Sequence, residues 1–226
     1  KNMYENEGRD LVRLFERVKN KGIATSMDMA AIDAGSDAAR ADWKKILSDT
    51  LPYVDFFLPS FEELCFMLDR EKYEEMISSG SDITDIIDMN KDVMPLARKC
   101  IDMGCRTVVI KCGTLGLFYM TGNREAVSDI GQRLDIDRDD WADRSGIQPC
   151  FKARIVRSAT GAGDTSIAAF LAALMRGKSI GECVRLAAGE GACCVTGYDA
   201  LSGLKTIDEL EQAISEGWET MGEKIC

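Results

Sequence analysis

The chain alternates short apolar segments, rich in β-branched and aromatic residues, with longer segments whose apolar residues recur every three or four positions. The first pattern is typical of buried strands and the second of amphipathic helices, so their alternation indicates βαβ units. Such units predict an α/β fold with a largely parallel sheet and helices on both faces. The predicted strands are Ile23–Met29, Tyr53–Leu58, Arg106–Lys111, Leu117–Thr121 and Ala153–Val156.

Helices are predicted between these strands, and one of them carries a local start signal. Ser60 followed three residues later by Glu63 is a capping box, which predicts that a helix begins at Phe61. Glycines 113 and 116 make the preceding and following strands a hairpin, and residues 122–152 are predicted to be irregular and exposed. The other predicted helices are 7–21, 36–51, 94–104, 180–196 and 206–221.

Polar or glycine-bearing features follow several predicted strands directly. They are Asp28, Pro59–Glu63, Lys111–Gly116 and Gly161–Asp164. Ligands in α/β sheets bind at the carboxyl ends of the strands, so these four features are expected at one edge of the sheet. Asp28 and Glu63 each allow a purely structural interpretation as capping residues, and Lys111 is either a phosphate-binding or a surface residue.

The segment Ser158–Met175 joins a glycine-spaced turn to an apolar helix of small residues. Gly161 and Gly163 permit a tight turn, and the first amides of the helix have no intrahelical partners. With the helix dipole, these amides make an anion site. A carboxylate at that place, Asp164, makes chemical sense as a general base for a nucleophile that attacks a bound phosphoryl group. The competing interpretation is an acidic helix cap.

The sequence contains no histidine, which removes Ser–His–Asp and Cys–His nucleophilic systems and any histidine base. Acid–base chemistry must then use other side chains, of which Asp164 is the natural candidate. The same absence excludes Cys/His zinc sites. A dinucleotide fingerprint is disfavoured because the glycine motif lies near the end of the chain, and no P-loop motif occurs.

The net charge of −10 argues against nucleic acid and anionic membranes as partners. It does not exclude a small phosphorylated ligand, which local amides, a lysine and a metal ion can hold. The nine cysteines are odd in number and lack C-x-x-C pairs, so we expect reduced, mostly buried thiols in a cytoplasmic protein without a membrane span.

The motif TGAGD leading into a small-residue helix resembles the second signature of the PfkB/ribokinase family of sugar and nucleoside kinases. The order of neighbouring features is similar to that family as well: PSFEEL where members have P-N-x-x-E, KCGTLG where they have a G-x-x-G turn, and a final helix rich in alanine and glycine. The resemblance covers essentially the whole chain and implies a ribokinase-like fold.

The resemblance implies a role for each matching residue of an ATP- and Mg²⁺-dependent carbohydrate kinase. Asp164 would be the general base, with Gly161, Ala162 and Gly163 forming the anion hole for the transferred phosphoryl group. Glu63 would help to order Mg²⁺. The nucleotide-binding residues would be Lys111, Gly113, Gly116 and Gly191.

The chain departs from the family pattern at two serines and in length. Ser60 replaces the usual asparagine, and Ser158 stands where many members have the aspartate associated with monovalent-cation activation, so a monovalent cation is doubtful. Members run to about 300 residues, so residues 1–226 are expected to form one domain that lacks the amino-terminal strands, the lid and most sugar contacts. A homodimer is compatible with the resemblance. The alternative to a kinase is a non-catalytic nucleotide-binding or regulatory relative.

Overall fold

The computed structural model describes residues 3–130 and 134–222. Its centre is a five-stranded sheet in the order β1 to β5. The β1–β2 and β2–β3 pairs are parallel, and the β3–β4 and β4–β5 pairs are antiparallel. The sheet is therefore mixed, and the predicted α/β class is confirmed. The strands are Ser26–Met27 (β1), Phe56–Phe57 (β2), Thr107–Lys111 (β3), Leu117–Thr121 (β4) and Ser145–Gln148 (β5).

The predicted hairpin is confirmed, with Thr107 opposite Thr121 and Lys111 opposite Leu117. The prediction that residues 122–152 are irregular throughout is wrong, because this region contains β5. Gly146 in β5 leaves room for the ring of Tyr119 on β4, since a Cβ there would lie 2.9 Å from the tyrosine oxygen. Serine and glycine are poor strand formers, so the pairing with β4 decides the conformation.

The predicted strand Ala153–Val156 is also wrong, because these residues form no strand and three of the four are exposed. The chain instead makes one bridge just before them, where Phe151 pairs with Thr220. The segment TGAGD is consequently reached through an extended loop.

Helices cover both faces of the sheet, as predicted. Val108 and Ile110 of β3 belong to one buried cluster and Val109 to the other, because successive strand residues point to opposite faces. Helices α2, α3 and α6 contribute to the first cluster, and α9, α10 and α11 to the second. The helices are Arg9–Lys19 (α1), Trp43–Thr50 (α2), Phe61–Leu68 (α3), Arg70–Ser78 (α4), Ile83–Ile86 (α5), Met94–Asp102 (α6), Arg124–Ser128 (α7), Arg138–Trp141 (α8), Ala162–Met175 (α9), Ile180–Cys194 (α10) and Ile207–Ser215 (α11).

The cysteines at described positions are all free, and most are buried, as the sequence predicted. Burial raises the pKa of the Cys105 and Cys112 thiols to about 12, which keeps them protonated and unreactive at neutral pH. Cys226 lies outside the described residues. Within the described ranges, no helix has the length and apolar composition needed to cross a membrane.

A buried ion pair joins α1 to the amino-terminal end of β2. The Asp55 carboxylate is fully buried and accepts hydrogen bonds from the Thr25 amide, at 2.9 Å, and from the Lys19 ammonium. Lys19 also donates to the Asp129 carbonyl at 2.6 Å. Because an unpaired buried carboxylate is costly, Lys19 is expected to stabilise the fold strongly.

We expect Lys19→Met to lower the free energy of unfolding by about 3–5 kcal/mol, because it leaves Asp55 buried without its cation. Urea denaturation measures the change. The matched control is Arg124→Met, which removes an ion pair with Asp139 that is exposed on both sides and should change the stability little. Equal stabilities of the two variants would contradict the stabilising role of the Lys19–Asp55 ion pair.

Candidate active site

The turn that precedes α9 depends on Gly161. This residue is the N-cap of α9 and lies in the left-handed region at φ 83° and ψ −5°. A Cβ at this position would lie 2.3 Å from the Cβ of Ala200, which belongs to the loop after α10. Both the backbone conformation and the close contact therefore require glycine.

The first amides of α9 differ in whether they have partners. The Ala162 amide donates to the Ala159 carbonyl at 3.2 Å, and the Thr165 amide donates to the Gly161 carbonyl at 2.9 Å. The Gly163 and Asp164 amides have no hydrogen-bond partner among the described residues. These two amides, at the positive end of a 14-residue helix, are the donors available to an anion.

Asp164 follows in the first turn of α9, and its side chain is exposed. Within residues 3–130 and 134–222, its carboxylate makes no hydrogen bond or ion pair. The carboxylate is therefore free to accept a proton or a hydrogen bond from a ligand, which a capping carboxylate would not be.

Lys111 ends β3 and its side chain is only 14% exposed, so it is not a surface lysine. Its ammonium donates to the Asp28 carboxylate at 2.7 Å and to the Leu58 carbonyl at 2.6 Å. An ammonium has three donors, and the third has no partner in the described part of the chain. A Cβ on Gly163 would lie 3.6 Å from the lysine Cε, so the Lys111 side chain passes directly beside the turn.

The interpretation of Asp28 was open in the sequence, and the structure gives this residue a definite contact. Asp28 follows β1, and its carboxylate is the ion-pair partner of Lys111. The pair connects the carboxyl ends of β1 and β3 across β2, as the parallel arrangement of these strands predicts.

Ser60 and Glu63 form the predicted capping box of α3. The Ser60 amide donates to Glu63 Oε2 at 2.8 Å, and the Glu63 amide donates to the Ser60 hydroxyl at 3.2 Å. The Lys111 amide donates to the Pro59 carbonyl at 2.9 Å, which holds the start of α3 against the end of β3. Glu63 Oε1 keeps no partner in the described ranges, so capping leaves one oxygen for a ligand.

Glu63 lies among other negatively charged side chains. Burial raises the pKa of the neighbouring Glu62 carboxyl, and the charges of Asp82 and Glu63 raise it further. Among the described residues no cluster of three or more aspartates, glutamates, cysteines or histidines could hold a metal by itself.

Two cavities meet at Lys111. The larger one, of about 460 Å³, lies between the β3–β4 turn, α9 and α10 and is mostly apolar. The smaller one, of about 340 Å³, lies beside α3 and contains Ser60 and Glu63. Lys111, Gly113 and Gly163 line both cavities. The larger volume is in the range typical of small-molecule sites.

Nearly all residues singled out from the sequence line one of these cavities. Ala162, Gly116 and Gly191 line the larger cavity only, and Glu63 the smaller one only. Gly161 and Asp164 line neither cavity. Cβ atoms at Gly116 and Gly191 would lie 2.1 Å from the Gln148 carbonyl oxygen and 2.6 Å from the Ser166 hydroxyl. Glycine at both positions thus allows the walls to approach closely.

Sequence reasoning missed part of the wall of the larger cavity. Cys150, Phe151 and Met221 line it, although none follows a predicted strand or belongs to a motif. No local pattern marks these residues, since their position depends on pairing between segments about 70 residues apart in the chain.

The chain is similar to curated and solved sugar kinases. It is 29% identical over 187 residues to a protein of Archaeoglobus fulgidus described as an uncharacterized sugar kinase, covering 81% of this chain and 56% of that one. The structure matches Arabidopsis thaliana ribokinase complexed with ribose and ATP, with a TM-score of 0.60 and 22% identity over 90% of this chain and 51% of that one.

A second solved structure is similar to the same extent. It is a putative ribokinase II of E. coli in complex with ATP and Mg²⁺, with a TM-score of 0.60 and 18% identity over 90% of this chain and 52% of that one. At these identities the likeness shows the fold, which is the ribokinase fold. The chain spans about half the length of the relatives it matches.

The family itself is given by a sequence match over most of the chain. Residues 18–207 match the sequence model of the pfkB family carbohydrate kinases. The range includes the capping box, the β3–β4 turn and the glycine turn before α9. This chain belongs to the pfkB family of carbohydrate kinases.

Proposed function

We propose that this chain carries the nucleotide and phosphoryl sites of an ATP-dependent kinase that phosphorylates a hydroxyl group of a small sugar or related alcohol. The observation that carries the proposal is the meeting point of the two cavities. There the Lys111 ammonium lies beside Gly163, in the turn that carries the two unpartnered amides. The free carboxylate of Asp164 follows on the same turn, outside the lining of either cavity. Solved relatives with ribose and ATP, or with ATP and Mg²⁺, support the same classes of ligand.

The larger cavity is proposed to hold the nucleotide, with its phosphates toward Lys111 and Gly163. Its glycines, at 113, 116 and 191, let neighbouring segments approach closely, because a Cβ at each would lie within 2.6 Å of another residue. Glu63, through Oε1, would hold Mg²⁺ or one of its waters. The ion would supply charge neutralisation at the phosphate oxygens.

In the proposed reaction, Asp164 orients the acceptor hydroxyl and takes its proton late, since an alcohol is far too weak an acid to be deprotonated beforehand. The acceptor oxygen forms a bond to the γ-phosphorus while the bond from that phosphorus to the leaving oxygen of ADP breaks, and ADP keeps the electron pair. The Gly163 and Asp164 amides and Lys111 stabilise the charge on the transferred group. One such preorganised donor is worth about 2.7–4 kcal/mol, or ~10²–10³ in rate.

The proposal keeps two further predictions from the sequence, a cytoplasmic location and one α/β domain over residues 1–226, and it is compatible with a homodimer. A monovalent cation is doubtful in this proposal, because Ser158 stands where many members have the aspartate associated with that activation. The Ser158 hydroxyl instead accepts a hydrogen bond from the Thr160 amide at 3.1 Å, which shapes the loop before the glycine turn.

Gly161→Ala should damage the anion site. Alanine would be strained in the left-handed backbone conformation and would collide with Ala200. We therefore expect the substitution to lower the free energy of unfolding by about 1–3 kcal/mol and to weaken MgATP binding. Denaturation and calorimetry measure the two effects. Gly181→Ala is the matched control, because a Cβ there meets nothing within 4 Å. It should leave MgATP binding unchanged and should not lower the stability, since alanine favours helix α10 more than glycine does. Undiminished MgATP affinity in Gly161→Ala would contradict the proposed anion site.

Lys111→Met should weaken MgATP binding by about 10–100-fold, since a hydrogen bond to a charged group contributes roughly 1.5–3 kcal/mol. The loss should also leave Asp28 as an uncompensated negative charge near the phosphates. Calorimetric titration of this chain with MgATP measures the dissociation constant. Lys45→Met, which removes an exposed lysine paired with Asp49, serves as the control. An unchanged dissociation constant in Lys111→Met would remove this residue from the nucleotide site.

Asp164→Asn should preserve folding and MgATP binding but reduce turnover by about 10²–10⁴-fold, because the general base is lost. The assay is ADP release from MgATP over a panel of sugars and nucleosides, performed with the full-length protein. Asp208→Asn, an exposed aspartate paired with Arg176, is the control. Near-normal turnover in Asp164→Asn would refute the base assignment. Nucleotide binding without turnover in the wild-type protein would favour the regulatory alternative.

A further inference from the structure

A short segment after α11, Trp218–Met221, lies antiparallel to residues 150–152. The Lys152 amide donates to the Glu219 carbonyl, and the Met221 amide donates to the Cys150 carbonyl, both at 2.8 Å. The Trp218 indole also donates to the Lys152 carbonyl at 2.8 Å. Three hydrogen bonds to the backbone of residues 150–152 therefore fix the position of this segment.

Aromatic packing anchors the same segment. The Trp218 ring stacks on Phe151 with ring centroids 4.8 Å apart and an angle of 29° between the planes. Phe151 is buried at 4% exposure and belongs to the core on the α9–α10 face of the sheet. The segment is thus attached to the core and is not a loose tail.

The anchored segment forms part of the larger cavity. Met221 lines this cavity together with Cys150 and Phe151. Lys111 and Gly163, beside the unpartnered amides, line the same cavity. Met221 is 54% exposed, which leaves much of its apolar surface available for a ligand.

Residues 218–221 also lie outside the range 18–207 that the family match covers. This wall of the cavity is therefore contributed by a part of the chain to which the family assignment gives no role.

We propose that Trp218–Met221 is a nucleotide-binding element, in which Met221 contacts the base of the bound nucleotide. The inference rests on the proposed function. Phosphates belong beside the ammonium and the free amides, so the base falls to the apolar end of the cavity. A methionine thioether is polarisable and makes favourable contacts with aromatic rings, which suits the face of a base.

The test compares MgATP with magnesium tripolyphosphate, which has the phosphates but no base. Calorimetry should give an affinity of Met221→Ala for MgATP about fivefold weaker than wild type, from the lost apolar contact. Its affinity for tripolyphosphate should be unchanged. Met221→Leu, which keeps an apolar side chain, should restore most of the MgATP affinity. Asp139→Asn removes only the exposed pair with Arg124, lines no part of this cavity and should bind both ligands as wild type does.

A second readout uses the half-buried Cys150 thiol, which lines the same end of the cavity. Alkylation of Cys150, followed by mass spectrometry at pH 8.5, should slow when MgATP is added and should not slow with magnesium tripolyphosphate.

The outcomes separate this inference from the proposed function. If wild type binds MgATP and Met221→Ala binds it equally well, the inference is wrong and the proposed nucleotide site stands. Equal weakening toward MgATP and tripolyphosphate would also overturn it, since Met221 would then act through the fold. If the wild-type chain fails to bind MgATP, the proposed function fails and the inference with it.

Discussion

The arrangement of the candidate site depends on the Lys111 ammonium. It is held by the Asp28 carboxylate and the Leu58 carbonyl, which follow β1 and β2, while Lys111 itself ends β3. One cation therefore ties together the carboxyl ends of three parallel strands. A Cβ on Gly163 would lie 3.6 Å from the lysine Cε, so the cation is next to the first turn of α9. The unpartnered amides of α9 and the cation are therefore close together at this edge of the sheet.

The glycines of the site act through the space that they leave. Gly161 and Gly116 adopt positive φ angles, and a Cβ on either would overlap a neighbouring segment at less than 2.5 Å. These contacts bring the loop around Ala200 and the end of β5 against the turn and the cavity. A larger side chain at either position would separate the walls, so the shape of the cavity and the conformation of the backbone are one constraint.

The sequence predicts the features that depend on local chemistry. The capping box at Ser60 and Glu63, the β3–β4 hairpin and the start of α9 each follow from a few adjacent residues, and each is present. The parallel order of β1 to β3 then places Asp28 and Lys111 at one edge, although only the structure pairs them. The role of Asp164 is still a proposal, because geometry gives it a free carboxylate and no substrate.

The failures concern segments whose conformation is set by distant partners. The β5 strand contains serine and glycine and forms because β4 offers an unpaired edge and Tyr119 fits over Gly146. Residues 153–156 include the β-branched residues Ile155 and Val156, but no strand in the described part of the chain pairs with them. The segment Trp218–Met221 was predicted as the end of a helix, whereas α11 stops at Ser215 and the chain turns to pair with residues 150–152. Periodicity in the sequence cannot predict such pairings, because they join segments far apart in the chain.

Electrostatics indicates why the proposed nucleotide site would need amides and a metal ion as well as its lysine. The chain carries a net charge of −10, and the Lys111 charge is balanced by Asp28. Glu63 and Asp164 add negative charge on either side, so side chains alone would repel a triphosphate. Backbone amides supply positive potential without adding a titratable group, and the free oxygen of Glu63 favours a cation that arrives with the phosphates. Under the proposed function, this acidic chain would bind an anionic nucleotide that brings its own Mg²⁺.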